Sequence, residues 1–338
     1  LTRPVINAII DNVFKMRGLG IASMEYVSLG KTGLKISRVG LGAWQFGGDV
    51  WGPYEYGVAK EVIAKAYELG INFIDTAAVY GRGRSEEFVG RAIRELGIRE
   101  HVVIATKIPG DWHRYDDVLK ASRRSRERLD VDVIDLLQLH WPACWHNVPI
   151  CETMRAMERL VEDGVIRYIG VSNYPLQLLE AARACLKRSD IVSSQNRYNL
   201  IERDVEKELL PYLQREGITL IAWSPLAKGA VTGKYGPENR PRSDLRENEP
   251  VFYPDNLREI STKLIPVIRE LASKYGKTPA QIALNWLIMH DNVVPIPGAK
   301  NAAQVVENAG AAEWRLSEDD FRRLTEASNS LVITYVTW

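Results

Sequence analysis

Four titratable side chains recur at similar intervals in the first half of this 338-residue sequence. Asp75 ends one apolar stretch and Tyr80 follows closely, Lys107 ends the next stretch, and His140 ends the third. The steps from Tyr80 to Lys107 and from Lys107 to His140 are each close to one strand-plus-helix repeat of about 30 residues. Consecutive parallel strands end at the same edge of a sheet, so we expect these four side chains to meet in one pocket.

Such a set suits proton transfer to a carbonyl oxygen. A tyrosine with its ordinary pKa of about 10 is a weak acid at neutral pH. A cationic Lys107 beside Tyr80 would lower the tyrosine pKa, while Asp75 would keep the lysine charged. His140 could donate a hydrogen bond that polarises and orients the carbonyl. The sequence therefore predicts Tyr80 as a proton donor supported by the other three residues.

Each of these residues also has an ordinary structural interpretation. Asp75 and Lys107 could form a buried ion pair, Tyr80 could be a packed aromatic, and His140 could be a satisfied core histidine. Their joint placement at successive strand ends favours the functional interpretation. A metal site is not predicted, because the five histidines form neither an HxH nor an HExxH pair.

Eight short apolar stretches, typical of buried parallel strands, alternate with amphipathic helical stretches. Eight such repeats, with no linker between two halves, favour a (β/α)8 TIM barrel of the α/β class over a two-domain doubly wound fold. The predicted strands are residues 39–44, 72–76, 102–106, 134–139, 168–172, 191–195, 219–223 and 293–296. The predicted helices between them include residues 59–69, 86–96, 118–129, 153–162 and 176–186.

The repeat carries several additions. Residues 25–29 and 34–39 flank a turn and predict an N-terminal β-hairpin. A long Pro- and Gly-rich loop follows the seventh strand at residues 224–255, on the face where a barrel places its active site. Extra helices are predicted at residues 257–275 and 318–327, where they could cover the bottom or sides of the barrel.

Composition limits the classes of partner. The 44 Lys and Arg residues nearly balance the 43 Asp and Glu residues, so neither nucleic acid nor an anionic membrane is an expected partner. No apolar run is long enough to cross a bilayer. Three cysteines without a CxxC pair make a disulfide framework improbable, and a reducing cytoplasm is expected. The predicted organisation is an N-terminal extension of residues 1–23 and one barrel domain of residues 24–338, with the oligomeric state left open.

From about Met24 onward, the chain resembles the aldo-keto reductase family. The motifs are GAW at 42–44, NFIDTA at 72–77 followed by YG at 80–81, GRSE at 83–86, ATK at 105–107 and LQLH at 137–140. The resemblance implies the tetrad Asp75, Tyr80, Lys107 and His140, and a helix that starts at Ser85. It also implies reversible, NADPH-dependent reduction of aldehydes and ketones to alcohols.

The expected cofactor is NADP(H), with NAD(H) as the alternative. No strand is followed by GxGxxG, so a Rossmann site is not predicted. The resemblance instead implies a dinucleotide lying across the barrel top, with its carboxamide held by Ser172, Asn173 and Gln195. An indole at Trp223 could stack on the nicotinamide. The cofactor-contacting residues expected are Ala43, Trp44, Ser172, Asn173, Gln195, Trp223, Ser224, Leu226, Lys228, Lys234, Gly298, Lys300, Gln304, Glu307 and Asn308.

Cations are expected at the diphosphate and at the 2′-phosphate of the cofactor, and only the latter distinguishes NADP from NAD. Lys228 and Lys234 lie in the loop after the seventh strand, where a diphosphate clamp would need them. Lys300 and the helix start at Asn301 could meet a 2′-phosphate. Many family members carry an arginine where Gln304 stands, so Lys300 must contribute more here.

With Gln304 and Trp223 at these positions, the chain resembles the branch that contains the potassium-channel β subunits and related bacterial and archaeal reductases. A second hypothesis is therefore a redox-sensing regulatory subunit that holds NADP with little turnover. The channel subunits carry asparagine in place of His140, so the complete tetrad favours turnover. A metal-dependent barrel hydrolase is the third hypothesis.

The substrate is predicted only as a small carbonyl compound. Trp44, Trp112, Trp141 and Trp145 follow strands one, three and four, and could line a pocket for an apolar or aromatic aldehyde or ketone. The apolar tail at residues 331–338 could fold over the barrel mouth or a neighbouring subunit.

Overall fold

The computed structural model describes residues 24–49, 51–143, 147–242 and 244–335. Its first element is the predicted antiparallel hairpin, formed by β1 (Tyr26–Ser28) and β2 (Lys35–Ser37). The predicted extension at residues 1–23 lies outside the described residues.

Eight parallel strands follow the hairpin and close on themselves, which confirms the predicted (β/α)8 barrel. They are β3 (Leu41–Gly42), β4 (Phe73–Asp75), β5 (Val103–Ile108), β6 (Ile134–Leu139), β7 (Ile166–Ser172), β8 (Ile191–Arg197), β9 (Thr219–Trp223) and β10 (Val293–Pro295). Each pairs with its neighbour in chain order. A parallel bridge between Gly42 and Gly298 joins the first strand to the last, and the Gly40 N–H donates to the Pro295 carbonyl at 2.9 Å.

The five predicted helices are present, with ends shifted by a few residues. In chain order, the helices are α1 (Tyr56–Glu68), α2 (Arg84–Leu96), α3 (Tyr115–Leu129), α4 (Ile150–Glu162), α5 (Leu176–Ala184), α6 (Leu209–Glu216), α7 (Pro254–Glu259), α8 (Ile265–Tyr275), α9 (Pro279–Ile288), α10 (Ala302–Ala309) and α11 (Glu318–Asn329). The helix predicted at 257–275 is interrupted by a π-helical turn, Ile260–Leu264. Pro266 follows this turn and lacks the N–H that a regular helix would use.

The hairpin, rather than the added helices, covers the bottom of the barrel. Leu29 and Ile36 pack with Phe73, Val103 and other inward-facing strand residues in one buried cluster. The added helix α11 lies against α9, where the Trp286 indole donates to the Thr325 hydroxyl at 2.9 Å. The opposite end of the barrel, at the carboxyl ends of the strands, is left for a site.

Two of the three cysteines are paired, so the expectation against disulfides is wrong for them. Cys151 in α4 is bonded to Cys185, the residue that follows α5, with 5.0 Å between their Cα atoms. Because the two helices are neighbours on the barrel wall, cysteines 34 positions apart in the sequence come close enough to bond. Cys144 lies outside the described residues. In the part of the chain that the structure describes, no helix is long and apolar enough to span a membrane.

Candidate active site

A cavity of about 780 Å³ opens at the carboxyl ends of the strands. All fifteen residues predicted to contact a cofactor line it, together with Asp75, Tyr80 and His140. Lys107 lies behind its wall with a side chain that is 0% exposed. The predicted site residues are therefore brought together around one space.

The Lys107–Asp75 ion pair forms the buried floor of the cavity. Lys107 Nζ lies 2.5 Å from Asp75 Oδ1 and also donates to the Thr76 carbonyl at 2.9 Å. The other carboxylate oxygen of Asp75 accepts from the amides of Gln138 at 3.0 Å and Gln195 at 2.8 Å. These donors hold Asp75 in place. The sequence analysis missed the role of Gln138. The available signal was its position two residues before His140, since residues two apart on a strand point to the same face.

Tyr80 is placed over this pair by a tight turn. Lys107 Nζ donates to the Tyr80 hydroxyl oxygen at 3.2 Å. The next residue, Gly81, has a φ of +60°, and a Cβ there would lie 2.2 Å from the Gly47 carbonyl oxygen. Glycine is therefore required at this position. The Gly81 N–H also donates to Asp49 Oδ2 at 3.0 Å, which ties the turn to the loop after β3.

Burial and the charge of Lys107 act in opposite directions on the pKa of Tyr80. Burial raises the pKa of Tyr80 above its ordinary value, and Lys107 acts against this shift without reversing it. Burial alone would lower the pKa of Lys107, but Asp75 and Tyr80 raise it, so the lysine is charged at neutral pH. Lys107 lowers the pKa of Tyr80, as predicted, but the sequence did not reveal the opposing effect of burial, which outweighs the nearby cation.

His140 faces Tyr80 across the cavity. Their ring centroids are 5.7 Å apart, with the ring planes at 82°. Burial and the charge of Lys107 lower the pKa of His140 to about 3. The imidazole is therefore neutral at pH 7 and can donate one N–H to a bound oxygen.

Asn173 links three elements of the cavity wall. Its Nδ2 donates to the His140 carbonyl and to Ser172 Oγ, each at 3.0 Å. Its Oδ1 accepts the indole N–H of Trp223 at 3.0 Å. These bonds occupy the Asn173 amide, and they fix the Trp223 ring beside the tetrad.

Comparison with known proteins agrees with this geometry. The model of the aldo/keto reductase family matches residues 38–329. The chain belongs to the aldo/keto reductase family. It is 35% identical to aldo-keto reductase YhdN of Bacillus subtilis, over 88% of this chain and 91% of the relative. It is also 37% identical to a probable voltage-gated potassium channel subunit beta of Arabidopsis thaliana, over 86% and 92% of the two chains. These relatives match the branch expected from the sequence.

A solved structure also resembles this aldo/keto reductase. An aldo-keto reductase from Klebsiella pneumoniae in complex with NADPH superposes with a TM-score of 0.72 at 30% identity, and the match covers 90% of this chain and 94% of that one.

The loop after β9 supplies cations to the cavity of this aldo/keto reductase. Lys228 is paired with Glu249, so its charge is already offset. Arg246 also lines the cavity and was missed in the sequence. It bonds Asp244 Oδ1 at 2.9 Å and the Tyr235 hydroxyl at 2.8 Å. The many charged residues at 224–255 indicated that this loop could supply a cation to the site. The sequence did not show which of these cations faces the cavity.

Residues around the start of α10 also line the cavity. Asn301 caps α10 by accepting the Gln304 N–H at 3.0 Å, which confirms the predicted helix start. Gln304 Oε1 accepts the Lys300 N–H at 2.7 Å. Lys300 Nζ lies 5.4 Å from the ring centroid of Trp51, a cavity residue that the sequence prediction missed.

Two of the four tryptophans predicted to line the substrate pocket are found in the cavity wall. Trp44 and Trp141 line the cavity, and Trp141 is 51% exposed at its mouth. Trp112 does not line it and instead packs under Arg124, with 4.9 Å between the guanidinium carbon and the ring centroid. Trp145 lies outside the described residues.

The apolar tail and Ser85 make contacts that the sequence did not predict. Asn256 in α7 holds the tail through the Thr334 N–H at 2.9 Å and the Thr334 carbonyl at 2.8 Å. The described part of the tail does not line the cavity. Ser85 is the second residue of α2 rather than its cap, and its hydroxyl donates to the Ala43 carbonyl at 2.7 Å. Among the described residues, no group of three or more His, Cys, Asp or Glu could hold a metal ion.

Proposed function

We propose that this protein reduces aldehydes and ketones to alcohols, reversibly, with NADP(H) as hydride carrier and Tyr80 as proton donor. The observation that carries the proposal is the hydrogen bond from Lys107 Nζ to the Tyr80 hydroxyl, 3.2 Å long, since Tyr80 lines the cavity. It places a proton and a stabilising cation at one oxygen of a cavity residue.

The residues present fit a nicotinamide dinucleotide, which supplies hydride when bound. Trp223 offers a ring fixed by Asn173, and Ser172 presents a hydroxyl beside it. Both Nε2 hydrogen bonds of Gln195 are made to protein, at 2.8 Å and 3.1 Å, which leaves its Oε1 to accept from a carboxamide. Arg246 and Lys300 add positive charge farther along the cavity.

Proton transfer follows from the tetrad. The raised pKa keeps the proton on Tyr80 until the carbonyl oxygen of the substrate gains negative charge. The phenol then donates to that oxygen, and Lys107 stabilises the phenolate at short range. Neutral His140 donates its N–H to the same oxygen and orients it.

Replacement of Tyr80 tests the proton donor. Tyr80→Phe is expected to lower kcat for NADPH-linked reduction by on the order of 10²- to 10⁴-fold, because it removes general acid catalysis. The Kd for NADPH should stay within about twofold, since the phenol is not a cofactor contact. Tyr26→Phe changes a tyrosine in the hairpin and is the matched control. Activity retained by Tyr80→Phe would contradict the assignment.

NADP preference is proposed to rest on Lys300. Lys300→Met should weaken NADPH binding at least about tenfold and leave NADH binding nearly unchanged, because only NADPH carries the 2′-phosphate. Lys277, which also lies over a tryptophan ring, at 5.9 Å from Trp314, gives the matched control Lys277→Met. Equal or tighter wild-type affinity for NADH would overturn the preference.

The similarity to a plant channel subunit keeps a regulatory role as the second candidate. A screen of neutral apolar and aromatic aldehydes and ketones against NADPH oxidation separates the two, since Trp44, Val79 and Trp141 give the outer cavity an apolar wall. Tight NADPH binding without turnover of any carbonyl would favour the regulatory subunit.

A further inference from the structure

Arg197 lies against the indole of Trp223. The register between β8 and β9 places these two residues opposite each other. The guanidinium carbon is 4.5 Å from the centroid of the Trp223 ring. Trp223 lines the cavity, whereas Arg197 does not. The cation therefore lies over the ring of an indole that also borders the cavity.

This cation is held firmly in place. Arg197 donates to Glu202 Oε1 at 2.7 Å, and Glu202 is 9% exposed. Its guanidinium also lies 3.7 Å from Glu249, the partner of Lys228.

We propose that Arg197 makes the site discriminate against the oxidised cofactor. The inference rests on the proposed function, in which a nicotinamide stacks on Trp223. The nicotinamide ring is cationic when oxidised and neutral when reduced. Because the Trp223 indole already holds the Arg197 cation on its π system, it attracts the cationic, oxidised nicotinamide less well. The neutral, reduced nicotinamide stacks on the indole without this cost.

Arg197 is therefore a specificity-determining positioning residue that acts through the indole. It weakens binding of NADP⁺ relative to NADPH, so the oxidised form dissociates more readily after hydride transfer. The site is thereby biased towards carbonyl reduction when both forms are present.

Calorimetric titration of NADPH and NADP⁺ tests this assignment. The measured quantity is the ratio of the Kd for NADP⁺ to the Kd for NADPH. In Arg197→Met this ratio should fall by about three- to tenfold, the range set by a cation–π contact. Arg197→Lys retains the charge and should keep most of the wild-type ratio. Arg203→Met is the matched control, because Arg203 pairs with Glu206 and lies 5.2 Å from the Trp286 ring, outside the cavity.

A variant without the Trp223 ring tests whether Arg197 changes the Kd ratio through the indole or through a general change in structure. In Trp223→Leu the ring is absent, so adding Arg197→Met should no longer change the ratio. An unchanged ratio in Arg197→Met, including an equal rise of both Kd values, would overturn the inference while leaving the proposed function intact. Failure of the wild-type protein to bind either form would overturn both.

Discussion

The indole N–H of Trp223 donates a hydrogen bond to Oδ1 of Asn173 across 3.0 Å, joining the ends of β7 and β9. The same asparagine amide donates to the His140 carbonyl at the end of β6. One side chain thus fixes the proposed cofactor platform and the backbone of a tetrad residue together.

Removal of this link should separate positioning from chemistry. Asn173→Ala is expected to raise the Kd for NADPH by about tenfold, since losing a buried hydrogen-bond partner costs about 1–3 kcal/mol. Its effect should be largely lost in a Trp223→Leu background, where no indole remains to be held. Additive effects in this double-mutant cycle, measured by calorimetry, would show that Asn173 acts independently of Trp223.

The Lys107–Asp75 pair should affect stability as well as turnover. Lys107→Met leaves the buried Asp75 carboxylate without its cation and should lower the free energy of unfolding by about 3–5 kcal/mol. Adding Asp75→Asn to Lys107→Met removes the unpaired charge. The double variant should recover part of the lost free energy of unfolding without regaining activity. Urea denaturation of both single variants and the double variant measures the coupling. Full additivity would contradict a direct pair.

His140 gives a pH dependence with a defined sign. Its folded pKa of about 3 lies below the ordinary value of about 6.5, so the unfolded chain binds the extra proton first as pH falls. Stability should therefore decline from about pH 6.5 down towards pH 3, and His140→Asn should reduce this slope. His101→Asn, outside the cavity, is the control. At saturating cofactor, kcat should show no inflection near pH 6.5, and an inflection there that disappears in His140→Asn would contradict a neutral imidazole.

The Cys151–Cys185 bond should stabilise the barrel wall. A bond between residues 34 positions apart lowers the conformational entropy of the unfolded chain, which stabilises the folded state by about 3–4 kcal/mol. Cys151→Ser should lower Tm under oxidising conditions, and excess dithiothreitol should lower the wild-type Tm to a similar value. Cys144→Ser is the control. A wild-type Tm that does not respond to reductant, with free thiols detected at all three cysteines, would contradict the bond.

Much of the architecture followed from local pattern. The residues of β6 and β9 are apolar in near-continuous runs because both faces of a parallel strand are buried, so their bounds were predicted as the structure has them. Asp75 and Lys107 stand at the ends of such runs, and barrel geometry then brings them together. Helices α6 and α9 were not predicted. Helix α9 is buried along most of its length and shows little polar face, so it lacks the amphipathic pattern.

The sequence by itself determined the barrel and the placement of the tetrad at strand ends, because these depend on the order and period of residue types, and its resemblance to a family indicated the residues around one cavity. Tertiary structure alone decided which partners each group meets. Gln138 and Gln195 converge on Asp75 from different strands, and Arg197 reaches the Trp223 ring. It also decided the direction of the Tyr80 pKa shift, because the balance between loss of water and a nearby cation depends on burial and distance, which composition and spacing do not contain.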